Sequence, residues 1–127
     1  MIQGVGIDII EIDRIDEAIR KWGDRFVRRV YSEKEIAYCG SKHFPARHYA
    51  ARFAAKEACL KSLGLGLGQG LALRDISVVN SRSGKPELSI DRDLNPILKN
   101  TNYMFHLSLS HSQAYASAVV VLEASRS

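Results

Sequence analysis

Apolar and polar positions alternate with a period of two at the start of the chain. Over residues 2–10, Val5, Ile7 and Ile9 share one face while Gly4, Gly6, Asp8 and Ile10 share the other, which predicts a β-strand. The glycines beside Asp8 leave room for another backbone or a ligand to come close. The period then changes. Residues 13–22 and 24–31 predict two short helices, and Ser32-Glu-Lys-Glu35 fits a capping box that opens a third. Pro45 precedes the longest helical stretch, about 46–63, where Ala50, Ala54 and Ala58 at i, i+4 spacing permit close packing. Gly64 is its natural C-cap. Glycine then recurs at 64, 66, 68 and 70, as a connector or as a backbone wall against a ligand, with no lysine in P-loop order. A strand at 73–80, a turn over Ser81-Arg-Ser-Gly-Lys-Pro86, a short strand at 87–90 and a brief helix from Asp91 to Leu98 follow. The chain closes as a hairpin of Tyr103 to Ser110 and Ala114 to Leu122. In its first strand Phe105, Leu107 and Leu109 oppose His106, Ser108 and Ser110. No repeat, low-complexity tract or linker interrupts this order, so residues 1–127 are expected to form a single domain.

Two carboxylates fall inside apolar elements. Asp8 lies in the run Gly4-Val-Gly-Ile-Asp-Ile-Ile10, and Glu57 in Arg52-Phe-Ala-Ala-Lys-Glu-Ala-Cys-Leu-Lys61. On a helical wheel with Phe53 at zero, Tyr49 falls near roughly −40°, Leu60 near −20° and Glu57 near +40°. Glu57 thus flanks the apolar stripe, whereas Arg52, near roughly −100°, occupies a position equally suited to a surface residue. Buried carboxylates are costly unless paired, hydrogen-bonded or bound to a cation. A hard cation such as Mg²⁺ needs one or two carboxylates plus water and phosphate oxygens, so Asp8 and Glu57 are candidate metal ligands. The alternative is an i, i+4 pair of Glu57 with Lys61, worth about 0.2–0.5 kcal/mol, with Asp8 satisfying backbone donors at a strand end. His106 taken alone reads as a structural strand histidine, and Lys85-Pro86 as a simple turn. No G-x-S-x-G elbow is present to suggest a serine–histidine dyad.

Composition narrows the class. An apolar share of 46% and a charged share of 25% are those of a soluble globular protein. The apolar runs are too short to span a membrane, and no leader pattern precedes the first strand, so a cytoplasmic protein is expected. Cys39 and Cys59 are separated and in no metal-binding motif, so both are expected as free thiols, Cys59 in the core. The net charge of +4 is modest. Its placement matters more: Arg14, Arg20, Lys21, Arg25, Arg28 and Arg29 crowd the first helices among interspersed acids, which suits either a solvated surface or an acidic partner. Few aromatics accompany these charges and no reading motif is present, so nucleic acid is not expected.

The segments Gly4-Val-Gly-Ile-Asp8 and Arg52 to Lys61, with the glycine-rich stretch, Ser83-Gly-Lys-Pro-Glu87 and Phe105-His-Leu-Ser-Leu-Ser-His-Ser112, resemble holo-acyl-carrier-protein synthases. These are the small bacterial class of 4'-phosphopantetheinyl transferase, and the resemblance runs through nearly the whole chain in order. The stretch 37–50 matches least clearly. The resemblance implies an α/β (α+β) fold, an antiparallel sheet packed on one long and several short helices, assembled as a homotrimer with the active site across a subunit boundary. It implies transfer of the 4'-phosphopantetheine arm of coenzyme A to a serine of apo acyl carrier protein, Mg²⁺-dependent, releasing 3',5'-ADP and supporting fatty acid biosynthesis. Asp8 and Glu57 would hold Mg²⁺, and Lys61 would lie against the pyrophosphate. Arg52, Lys85, Pro86, His106, Ser108 and His111 would contact coenzyme A, and Arg14, Arg20, Arg25 and Arg28 would dock the acidic carrier protein. Two other readings stay open: a different Mg²⁺-dependent phosphate enzyme such as a small hydrolase, and a non-catalytic basic module that binds an acidic protein or RNA.

Overall fold

A computed structural model describes residues 1–66, 71–92 and 95–125. The elements run β1 (Ile2–Glu11), α1 (Ile12–Trp22), α2 (Asp24–Val30), α3 (Glu33–Gly40), α4 (Pro45–Ser62), β2 (Ile76–Asn80), β3 (Pro86–Ile90), β4 (Tyr103–His111) and β5 (Tyr115–Ala124). The antiparallel strands form two sheets, one of order β1-β5-β4 and a two-stranded β2-β3. The fold is α/β as expected. The predicted strand at 73–80 is corrected at its start: Leu73–Asp75 form a 3-10 turn, and pairing begins at Ile76. Among the described part of the predicted helix 91–98, Pro96–Leu98 form a single 3-10 turn. Pro96 can open such a turn because its fixed φ suits a first helical position. Gly68 and Gly70 of the glycine-rich stretch lie outside the described residues.

Helix α4 is the axis of the molecule. Its Ala50, Ala54, Ala55 and Ala58 are fully buried, and one flank takes β1. A Cβ added to Gly6 would lie 1.8 Å from the Ala58 carbonyl oxygen, and one added to Gly4 would lie 2.0 Å from that of Ser62. Only glycine therefore allows this strand to rest on the helix backbone. The helix ends at Ser62 with Leu63 as its C-cap, and Gly64, the expected cap, follows at C′ with φ +73°. Helix α3 opens with the predicted capping box, Ser32 accepting from the Glu35 N–H and Glu35 from the Ser32 N–H.

The sheet has two unlike faces. Register aligns Gly6 with Val120 and Leu107, and Asp8 with Ala118 and Leu109, on the side toward α4. The opposite side carries Val5, Val121 and His106 in one row and Ile7, Val119 and Ser108 in the next. Val5, Ile7 and Ile9 are 58%, 67% and 67% exposed, so the more apolar face of β1 is the one turned outward. Glycine and close backbone approach, rather than side-chain hydrophobicity, determine which face meets the helix.

Candidate active site

Because β1 lies flat on α4, Asp8 reaches the last turns of the helix. Lys61 Nζ stands 3.1 Å from Asp8 Oδ1 and also donates to the Ile7 carbonyl at 3.0 Å. In place of the alternative i, i+4 pair with Glu57, Lys61 thus makes a contact between helix and strand. Glu57 is half-buried beside them. Burial first, then the negative charge of Asp8, pushes its carboxyl above the usual range, while Lys61 opposes the shift. Two like charges and one ammonium converge on this seam. The described residues contain no cluster of three or more His, Cys, Asp or Glu side chains placed to enclose an ion. Asp8, paired with Lys61, and Glu57 would supply only part of a hard cation's shell, the rest being water and phosphate oxygens.

Arg52 does not take the surface position that its place on the wheel left open. It is 3% exposed, its guanidinium lies 4.2 Å from the Tyr38 ring centre, and it meets Asn80 Oδ1 at 3.5 Å. Its Nε has no hydrogen-bond partner among the described residues. A cavity of about 390 Å³ opens here, lined by Lys34, Tyr38, Arg52 and Asn80. Burial alone would raise the Tyr38 phenol, but its hydrogen bond with Asn80 and the charges of Lys42 and Arg52 bring it below the ordinary tyrosine value. His48 sits against Tyr38 and His111, each ring pair 5.8 Å apart. Burial, then Arg52 and His111, hold it below the usual histidine value. His111 thus joins this cationic end of α4.

The other residues singled out in the sequence lie elsewhere on the chain. His106 and Ser108 point from the outer sheet face, away from Asp8 within the same chain, and His106 Nε2 is 3.0 Å from Glu123 Oε1. Lys85 and Pro86 sit at the tip of the β2–β3 hairpin, where the Lys85 carbonyl accepts from the Ser81 N–H at 2.8 Å. Arg14, Arg20, Arg25 and Arg28 are exposed on α1 and α2, with Arg20 paired to Asp16 at 3.0 Å. Arg25 and Arg29 flank a cavity of about 320 Å³ floored by Trp22 and Phe26. Sequence reasoning passed over Tyr38, Asn80, Glu123 and the buried pair Glu35 and Lys56. For Lys56 a signal existed: on the same wheel it falls near roughly −60°, inside the apolar stripe.

Comparison with known proteins identifies the family. Residues 4–120 match the family described as the 4'-phosphopantetheinyl transferase superfamily. A holo-[acyl-carrier-protein] synthase of Syntrophus aciditrophicus is 48% identical over 97% of both chains, and one of a Geobacter species is 44% identical over 97% of this chain and 99% of its own. Among solved structures, the Bacillus anthracis holo-(acyl-carrier-protein) synthase in complex with CoA (3',5'-ADP) superposes with a TM-score of 0.83 at 39% identity, covering 98% of this chain and 99% of its own. The Helicobacter pylori synthase in complex with coenzyme A gives 0.82 at 32% identity, covering 94% and 99%. The chain belongs to the 4'-phosphopantetheinyl transferase superfamily. Within it, the chain falls among the holo-acyl-carrier-protein synthases and is an enzyme of the phosphopantetheinyl transferase class.

Proposed function

We propose that residues 1–127 act as one domain that moves the 4'-phosphopantetheine arm of coenzyme A onto a serine hydroxyl of apo acyl carrier protein, releasing 3',5'-ADP. The observation that carries this reading is the meeting of Asp8, Glu57 and Lys61 where β1 crosses α4. The serine oxygen forms a bond to the β-phosphorus of coenzyme A as its O–H bond breaks and the proton passes to solvent water. The bond from that phosphorus to the oxygen bridging to the α-phosphate breaks, and the electron pair leaves with 3',5'-ADP. Asp8 and Glu57 would hold Mg²⁺, which supplies charge neutralisation at the pyrophosphate when bound. Lys61 stabilises the charge that develops on the departing phosphate. Arg52 and His111, with the cavity beside Tyr38, support binding of a further phosphate of coenzyme A.

The outer sheet face supports the homotrimer. His106 and Ser108 stand among exposed Val5 and Ile7, on the side opposite Asp8. In an assembly that buries this face, His106, Ser108, Lys85 and Pro86 of one chain can meet the Asp8–Glu57 seam of a neighbour. An apolar patch of this kind is a subunit-contact signature. The arginines of α1 and α2 around Trp22 and Phe26 suit an acidic protein helix, consistent with the carrier as partner, rather than nucleic acid or membrane. A cytoplasmic location is part of the proposal; among the described residues no helix is long and apolar enough to cross a membrane.

The test is one incubation of the protein with coenzyme A, Mg²⁺ and apo acyl carrier protein, read by mass spectrometry. The carrier should gain one phosphopantetheine arm, and a Glu57→Ala variant should fail to load it. Breakdown of coenzyme A with no gain on the carrier would identify a hydrolase instead. Charge reversal, Arg14→Glu, should raise the KM for the carrier and leave that for coenzyme A unchanged. Unchanged carrier kinetics would reject the docking surface.

A further inference from the structure

The least expected ion pair in the molecule is buried. Lys56 and Glu35 are both 0% exposed, with Lys56 Nζ 2.6 Å from Glu35 Oε1. The ammonium also donates to the Leu73 carbonyl at 3.0 Å and to the Ile76 carbonyl, which uses all three of its protons. The carboxylate is equally occupied. Oε1 accepts the Ser32 N–H at 2.9 Å, and Oε2 accepts the Val78 N–H at 3.1 Å.

The direction of the last bond is the informative part. β2 pairs with β3 alone, so the Val78 N–H faces the free edge of a two-stranded sheet. There the Glu35 side chain takes the place of a third strand. A contact between the Ser32 and Ser77 hydroxyls, 2.7 Å apart, holds the same edge. Two-stranded sheets have little stability of their own and lie where their neighbours hold them. Their strands here end in the Ser81 to Lys85 turn, next to Asn80 and its contact with Arg52. Lys56 directly precedes Glu57 and projects about 100° from it around the helix. One turn of α4 thus grips β2 on one flank and presents Glu57 beside β1 on the other.

We propose that Glu35 and Lys56 are positioning residues whose buried pair fixes the β2–β3 hairpin, and with it Lys85 and Pro86, relative to the helix that carries Glu57 and Lys61. The inference rests on the proposed transferase reading and adds to it the element that sets coenzyme A affinity. Stability alone does not explain the pair. An apolar pair of similar volume is often as stable or more so, because burying two charges is expensive. What an apolar pair lacks is direction: it would leave the hairpin free to slide or tilt on a greasy surface. Five directed hydrogen bonds allow one placement.

The experiment is the double variant Glu35→Leu, Lys56→Met. It should remain folded at a lowered Tm, because the Val78 N–H and the Leu73 and Ile76 carbonyls lose their partners, and it should bind Mn²⁺ alone as the parent does, because the Asp8–Glu57 seam lies on the other flank. Its KM for coenzyme A should rise about tenfold, the scale of loss when a supporting side chain is removed, with the KM for the carrier unchanged. Amide exchange over 76–80 should quicken. Ser77→Ala, which removes one hydroxyl contact from the same strand edge, should raise the KM for coenzyme A about twofold and decides the matter if the double variant does not fold. An unchanged KM for coenzyme A in the folded double variant, or in Ser77→Ala if that variant decides, overturns the proposal. If the parent protein loads no carrier, the transferase reading fails, and exchange over 76–80 still decides whether the pair fixes the hairpin.

Discussion

Glu57 carries a measurable sign in the metal-free protein. Its carboxyl is raised by burial and by Asp8, so the unfolded chain ionises it at lower pH than the native chain does. The native state therefore binds more protons between the two values, and stability falls as pH rises through the native one. Glu57→Gln should abolish carrier loading yet flatten this slope. In EDTA at pH 8 it should melt above the parent, and coincident melting curves from pH 4 to 8 would reject the strain between the carboxylates. The two cysteines behave oppositely to reactive thiols. Burial pushes Cys39 and Cys59 up to about 12, so at pH 8 neither should react with a thiol reagent until denaturant exposes both. Fast labelling of the native protein would contradict that.

At the level of elements, the crossing of β1 over α4 is the part of the site with least tolerance. Gly6→Ala would drive a methyl group into the Ala58 carbonyl, and overpacking of this kind costs about 3 kcal/mol or more. The variant should lose Mn²⁺ affinity together with stability, because moving the strand moves Asp8. Gly40→Ala is the control: a Cβ there meets nothing within 4 Å, and the melt should be unchanged or slightly higher. Room for such a crossing was legible beforehand, though not which elements would meet. The glycines before Asp8 leave room for a backbone or a ligand, and alanines every fourth residue permit close packing. Lys61 was not, because the rule for i, i+4 neighbours cannot see a strand 53 residues away in sequence that offers a nearer carboxylate. Arg52 and Lys56 escaped for a related reason. Periodicity says where a side chain points, and their partners Asn80 and Glu35 come from distant elements.

For the whole molecule, alternation alone revealed that His106 and Asp8 project from faces of opposite parity only once the strands were in register. Which face was outward could not be read, since the more apolar side of β1 is the exposed one. That inversion makes sense if the exposed face meets another copy. Ile7→Asp should leave circular dichroism intact while converting the assembly to monomers in sedimentation, and it should cut carrier loading at least about tenfold by removing the neighbour's His106 and Ser108 from the site. A variant that still sediments with the parent would show that this face is not the contact.

The pairing of β1 with β5 also sets a schedule for the protein's birth. Asp8 lies opposite Ala118, so the strand that bears it leaves the ribosome long before its hydrogen-bond partner exists. Until then Ile7 and Ile9 hang on an unpaired edge, a liability while synthesis continues. A nascent chain cannot assemble the Asp8–Lys61 crossing on its finished sheet until the closing strand has emerged, and prematurely terminated products should be both inactive and prone to aggregate.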